Sequence, residues 1–126
     1  MKHLKTTGRS GMFRLLGETR SAQAAMMTLR VGQSTGEPDN EHSGSEQWLF
    51  VISGSGDALV NKRRTKIREG SLLLIEKGEV HQIRNTGRKP LVTLNIYVPP
   101  AYDKDGEPRN FAKRAATAVA RGVGMK

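Results

Sequence analysis

A chain of 126 residues, 26% of them charged and 36% hydrophobic, has room for one folded core and not for two. It contains no cysteine, which excludes disulfides, thiolate metal ligation and a cysteine nucleophile, and no apolar run approaches membrane-spanning length. The net charge of +9 would suit an anionic partner, but no nucleic-acid-binding motif accompanies it.

The opening "MKHLKTTGRSGMFRLL" lacks the apolar centre of a signal peptide, so a cytoplasmic protein is expected, with residues 1–20 as an N-terminal arm and His3 in solvent. "GMFRLLG" (11–17) is a first strand candidate inside that arm. In "AQAAMMTLRVG" (22–32), Ala25, Met27, Leu29 and Val31 alternate onto one face. Further strands are expected over "QWLFVIS" (47–53), "DALVNK" (57–62), "RTKIR" (64–68), "SLLLIE" (71–76), "VHQIRN" (80–85) and "LVTLNIYV" (91–98). Turn-forming stretches such as "STGEPDN", "SGSG", "EKGE" and "NTGRKP" separate them, and "SGSG" reads as a hairpin turn. Seven or eight strands with no helical period between them predict an all-β fold, an antiparallel double-sheet barrel or sandwich, over residues 21–100.

"KRRTKIR" (62–68) alternates like an exposed hairpin edge, where lysine and arginine guard against strand pairing. That accounts for its charge, and a nucleic-acid partner is not expected. Trp48 and Tyr97 read either as pocket lining or as an outer face covered by a second copy, and the shared, less apolar face of Thr93, Asn95 and Tyr97 on the last strand points to the second. Residues 101–126 are expected to form a basic extension, in which "RNFAKRAATAVARGV" (109–123) reads either as a short helix or as a solvated tail.

The chemistry concentrates around two histidines. Period-two alternation places His81 with Ile83 and Asn85, opposite Gln82 and Arg84, so the imidazole is expected to face inward. A lone inward histidine is an ordinary core residue, but His42 stands in "NEHSGSEQW" (40–48), at the entrance to the apolar "WLFVIS". A barrel can bring the two imidazoles into one lumen, where an added carboxylate would complete a two-histidine, one-carboxylate metal site. Glu46 would be that carboxylate if the strand slipped or bulged by one residue; otherwise Gln47 faces the lumen. Parity leaves both open, because Leu49 and Val51 follow Gln47 while Trp48, Phe50 and Ile52 follow Glu46. Met27, Leu29, Leu49, Ile83 and Leu94 are expected to make the rest of the lumen apolar.

The spacings resemble the two motifs of the cupin family, single-domain type. Gly70, "SLLLI", Glu76, Lys77, Gly78, "EV", His81, "QIR" and Asn85 repeat the second motif, with Glu76 in place of its proline. Counting back from Gly54, six residues lead to Gln47 in the glutamate position of the first motif. Four more lead to His42, and Asn40 takes the place of the first histidine. The resemblance runs from about Gly36 to Tyr97. It implies a small two-sheet barrel, often dimeric, holding one divalent transition metal (Fe, Mn, Zn or Ni) by three histidines and a glutamate. Carried over by position, the ligands are Asn40, His42, Gln47 and His81, with Glu46 as the alternative to Gln47. Two amides bring no charge to offset a dication, so weakened metal affinity is expected. The implied function is to bind or transform a small oxygenated molecule in the lumen, by dioxygenase- or isomerase-like chemistry. The other reading is a non-catalytic ligand-binding or sensor barrel.

Overall fold

A computed structural model describes residues 1–7, 12–36 and 44–108. Eight strands follow in chain order: β1 (Phe13–Glu18), β2 (Gln23–Leu29), β3 (Glu46–Ser53), β4 (Ser55–Val60), β5 (Arg63–Arg68), β6 (Leu72–Ile75), β7 (His81–Arg84) and β8 (Leu91–Val98). They form two antiparallel sheets, one of five strands in the order β1-β2-β8-β3-β6 and one of three in the order β5-β4-β7. This is the double-sheet barrel expected from the strand count. Among the described residues no helix is long and apolar enough to cross a membrane. The stretch 109–123, where a short helix or a basic tail was expected, lies outside the described residues.

The core follows from strict alternation in the two central strands. On β3, Gln47, Leu49 and Val51 are buried while Trp48 and Phe50 are exposed. On β8, Leu91, Thr93, Asn95 and Tyr97 are buried and the residues between them are not. This corrects the expected outer placement of Thr93, Asn95 and Tyr97, and the expected luminal placement of Leu94. Register explains the correction. Thr93 lies between Met27 and Val51, Asn95 between Ala25 and Leu49, and Tyr97 between Gln23 and Gln47. Paired residues share a face of the sheet, so the more polar face of β8 goes wherever its neighbours' core residues go. The inward Thr93 hydroxyl donates to Asn95 Oδ1 at 3.2 Å.

Two turns differ from the sequence reading. "SGSG" is a crossover rather than a hairpin: β3 and β4 belong to different sheets, with only Gly54 between them. Gly54 has φ of +89°, and a side chain at Gly56 would strike the Arg84 carbonyl on β7. Asn61 and Lys62, expected within a strand, are the two-residue turn of the β4–β5 hairpin, with φ of 47° and 68°. Two successive left-handed residues suit the twist of a tight hairpin, and asparagine tolerates that region.

The ends of the described chain are built into the barrel. β1, inside the expected arm, pairs with β2 at the edge of the larger sheet, and Leu4 packs over Gly17. Beyond residue 100, Ala101 and Tyr102 are buried with Ala25 and Tyr97. The Gln23 amide secures this segment. Its Nε2 donates to Glu18 Oε1 and to the Tyr102 carbonyl, each at 2.8 Å. Its Oε1 accepts from the amides of Ala101 and Tyr102 at 3.1 and 3.0 Å. Gln23→Leu strands these buried partners, so it should lower unfolding free energy by about 2–4 kcal/mol in urea titration. A loss below about 1 kcal/mol would show that the clamp is dispensable.

Candidate functional site

The two sheets close on a cavity of about 270 Å³. Gln47 and His81 line it, together with Met27, Ile83, Thr35 and an aromatic wall of Phe13, Tyr97 and Tyr102. The wall is continuous: the Tyr102 ring centroid lies 4.9 Å from that of Phe13 and 5.2 Å from that of Tyr97. Beyond Tyr102 the chain turns back on itself. The Asp103 carboxylate accepts from the amides of Asp105 and Glu107, and Tyr102 bridges to Pro108. This strap brings Gly106, Glu107 and Pro108 to the cavity rim.

Gln47 sits near the start of β3, paired with Tyr97 on one side and Ile75 on the other. That register turns its side chain inward, where it is 4% exposed. Its Oε1 is buried and meets no hydrogen-bond donor among the described residues. A buried carbonyl oxygen left in that state costs about 1–3 kcal/mol. Glu46 lies on the opposite face, where its Oε2 accepts from Trp48 Nε1 at 3.1 Å. β3 does carry a bulge, but at its far end, between Val51 and Ser53, so it leaves the Gln47 register intact.

His81 opens β7 and is buried, as its alternation with Ile83 requires. Its Nδ1 lies 3.1 Å from the Glu79 carbonyl oxygen. A carbonyl can only accept, so Nδ1 is the donor in this contact. This second contact is the kind that fixes the tautomer of a metal-ligating histidine.

Asn40 and His42 lie in 37–43, outside the described residues. Both flanks of that stretch are anchored beside the cavity. Gln82 Nε2 donates to the Gly36 carbonyl, and the Thr35 amide donates to the Ile83 carbonyl at 2.9 Å. On the other side, the buried Ser45 hydroxyl donates to the Pro99 carbonyl at 2.7 Å, two residues before Gln47. Among the described residues no group of three histidine, cysteine, aspartate or glutamate side chains comes together. His3 is exposed, as expected.

Sequence reasoning did not find Phe13, Thr35, Tyr102 or the strap as cavity residues. Phe13 and Tyr102 come from the assumed arm and extension, so the motif spacing carries no information about them. The signal that was available is the aromatic content itself. With two tyrosines and three phenylalanines in the chain, each aromatic beside an apolar stretch is a candidate for a shared wall.

A family model for the cupin domain, Cupin_2, matches residues 25–97. The chain is 26% identical to a Bacillus halodurans protein of known structure, covering 82% of this chain and 80% of that one, with a TM-score of 0.69. It is 27% identical to a predicted oxalate decarboxylase from Thermotoga maritima, covering 64% and 69% of the two chains, with a TM-score of 0.58. A curated protein of Aquifex aeolicus is 32% identical over 69 residues, 55% of each chain. The chain spans about half the length of the curated relatives it matches. The eight-stranded double-sheet barrel and the matched span, which includes Gln47 and His81, lead to one conclusion: this chain belongs to the cupin domain family.

Proposed function

We propose that the lumen binds a small oxygenated molecule together with one divalent transition metal, Fe, Mn, Zn or Ni. The observation that carries this reading is the buried, unpartnered Gln47 Oε1 in the cavity that His81 also lines. A carbonyl oxygen and an imidazole are competent donors for a first-row metal, so the residues present fit it. Gln47 and His81 would hold it from the barrel wall, and His42 and Asn40 from 37–43. A metal there would supply a Lewis acid toward an oxygen of the bound molecule.

The chain's own residues do the rest. The Glu79 carbonyl holds the His81 ring through Nδ1. Phe13, Tyr97 and Tyr102 exclude water from one side, which favours a ligand with few polar groups. Similarity to the predicted oxalate decarboxylase supports an oxygen-rich small molecule as the ligand. A second reading, a ligand-binding or sensor barrel without catalysis, is favoured by one observation. The motif's carboxylate position holds Gln47, and the neighbouring Glu46 faces away.

The partner surface is the outer face of the five-stranded sheet, and the protein pairs there with a second copy of itself. Trp48 and Phe50 are 38% and 40% exposed, and they lie in register with Leu74 and Leu72 at 39% and 60%. Neighbouring exposed large apolar residues of this kind mark interaction surfaces.

Two measurements check these readings. Elemental analysis of chelator-free protein should find metal in the native chain, less in His81→Ala, and affinity raised about tenfold in Gln47→Glu, which adds the missing charge. No metal in the native protein or in Gln47→Glu, even after reloading with all four candidates, would overturn the metal-site reading. Sedimentation analysis should show a native dimer that Phe50→Glu converts to a monomer. A native monomer at high micromolar concentration would refute the pairing.

A further inference from the structure

The barrel has a second cleft at the end away from the lumen. β3 runs from Gln47 at the cavity to Ser53, and β7 runs from His81 at the cavity to Arg84. The segments that follow those far ends converge with the end of β5. They enclose an open cleft of about 570 Å³ lined by Ser55, Arg68, Glu69, Thr86, Arg88 and Lys89. Three cations and two hydroxyls face one carboxylate there.

Edge protection accounts for only part of this charge, Arg68 at the end of β5. Arg63, Arg64 and Lys66 lie along the exposed β5 edge, but Arg88 and Lys89 belong to a loop that follows β7. Among the described residues the ion pair is that of Arg64 with Asp57, and none ties Arg68, Arg88 or Lys89 to a carboxylate. Three like charges around one cleft repel one another, and a bound anion relieves that repulsion.

The loop is also preformed. The fully buried Asn85 side chain clips it shut: Nδ2 donates to the carbonyls of Leu29 and Lys89, and Oδ1 accepts from the Gly87 amide, each at 2.9 Å. Gly87 lies directly on Ser55, with no space for a side chain between them. The cleft therefore holds its shape before any ligand arrives, which lowers the ordering cost of binding.

The geometry points to a phosphate-type oxyanion site in this cleft, independent of the lumen. Two guanidinium forks, an ammonium and two hydroxyl donors match an anion with several oxygens and more than one charge. The phosphate can come from a small phosphorylated molecule or from a polyanion backbone. Lys66 follows Arg68 on the same face of β5, about 6.7 Å away, and would extend the site for a longer chain of phosphates.

The test compares native protein, Arg68→Ala/Arg88→Ala and a charge-matched control, Lys62→Ala/Lys77→Ala. All four positions are exposed, and thermal unfolding checks that each variant folds. Pyrophosphate binding is measured by calorimetry at low salt, and a labelled single-stranded oligonucleotide of about 20 nucleotides by anisotropy across a salt series. The expected result is pyrophosphate binding that weakens about tenfold or more in the cleft variant and stays unchanged in the control. Oligonucleotide binding lost only in the cleft variant, with no pyrophosphate binding, supports the same site and identifies the polyanion as its source. No binding of either probe, or equal weakening by both variants, overturns the proposal.

Discussion

The structure depends on the register of β8, held between β2 and β3. Once Tyr97 pairs with both Gln23 and Gln47, the pleat decides everything on either side. It buries Gln47 and turns Glu46 out, places Gln23 where it can clamp Ala101 and Tyr102, and leaves Trp48 and Phe50 on the outer surface. A slip of one residue would exchange all of these at once. The many apolar contacts along Leu49, Val51, Ala25 and Met27 resist that slip, and so the polar residues are carried into the lumen by their neighbours.

This explains which parts were legible in the sequence. Strand number and approximate bounds were readable, because turn-formers punctuate the apolar stretches. His81 was readable as inward, because arginine and glutamine define the wet face of β7. The choice between Gln47 and Glu46 was not readable from alternation, since both faces of β3 are apolar. The second apolar face serves the outer surface of the sheet, not the core. β8 misled for the same reason. Its outer residues Leu94 and Ile96 are more apolar than its inner Thr93 and Asn95, so polarity alone inverts the strand. The "SGSG" crossover imitates a hairpin because the same glycines that permit a tight turn also permit close passage of two sheets.

The barrel wall places an amide and an imidazole in the lumen, Gln47 and His81. Gln47 offers its amide oxygen and His81 its imidazole, without the charge that a glutamate would add. In a cavity walled by aromatic rings, that leaves the electrostatic balance to whatever enters. Positive charge gathers away from the lumen, on β5 and the loop after β7, while Glu107 brings a carboxylate to the cavity rim. Apolar, neutral and cationic surfaces are thus segregated onto different parts of one small barrel.

The strap from Tyr102 to Pro108 has a consequence for how such a barrel can diversify. It forms one rim of the cavity yet contributes nothing to the pairing of the eight strands. Lengthening or shortening it would change the volume offered to a ligand while leaving Gln47 and His81 where they are. Ligand size and donor chemistry are therefore written in separate stretches of the chain, and each can change without rebuilding the other.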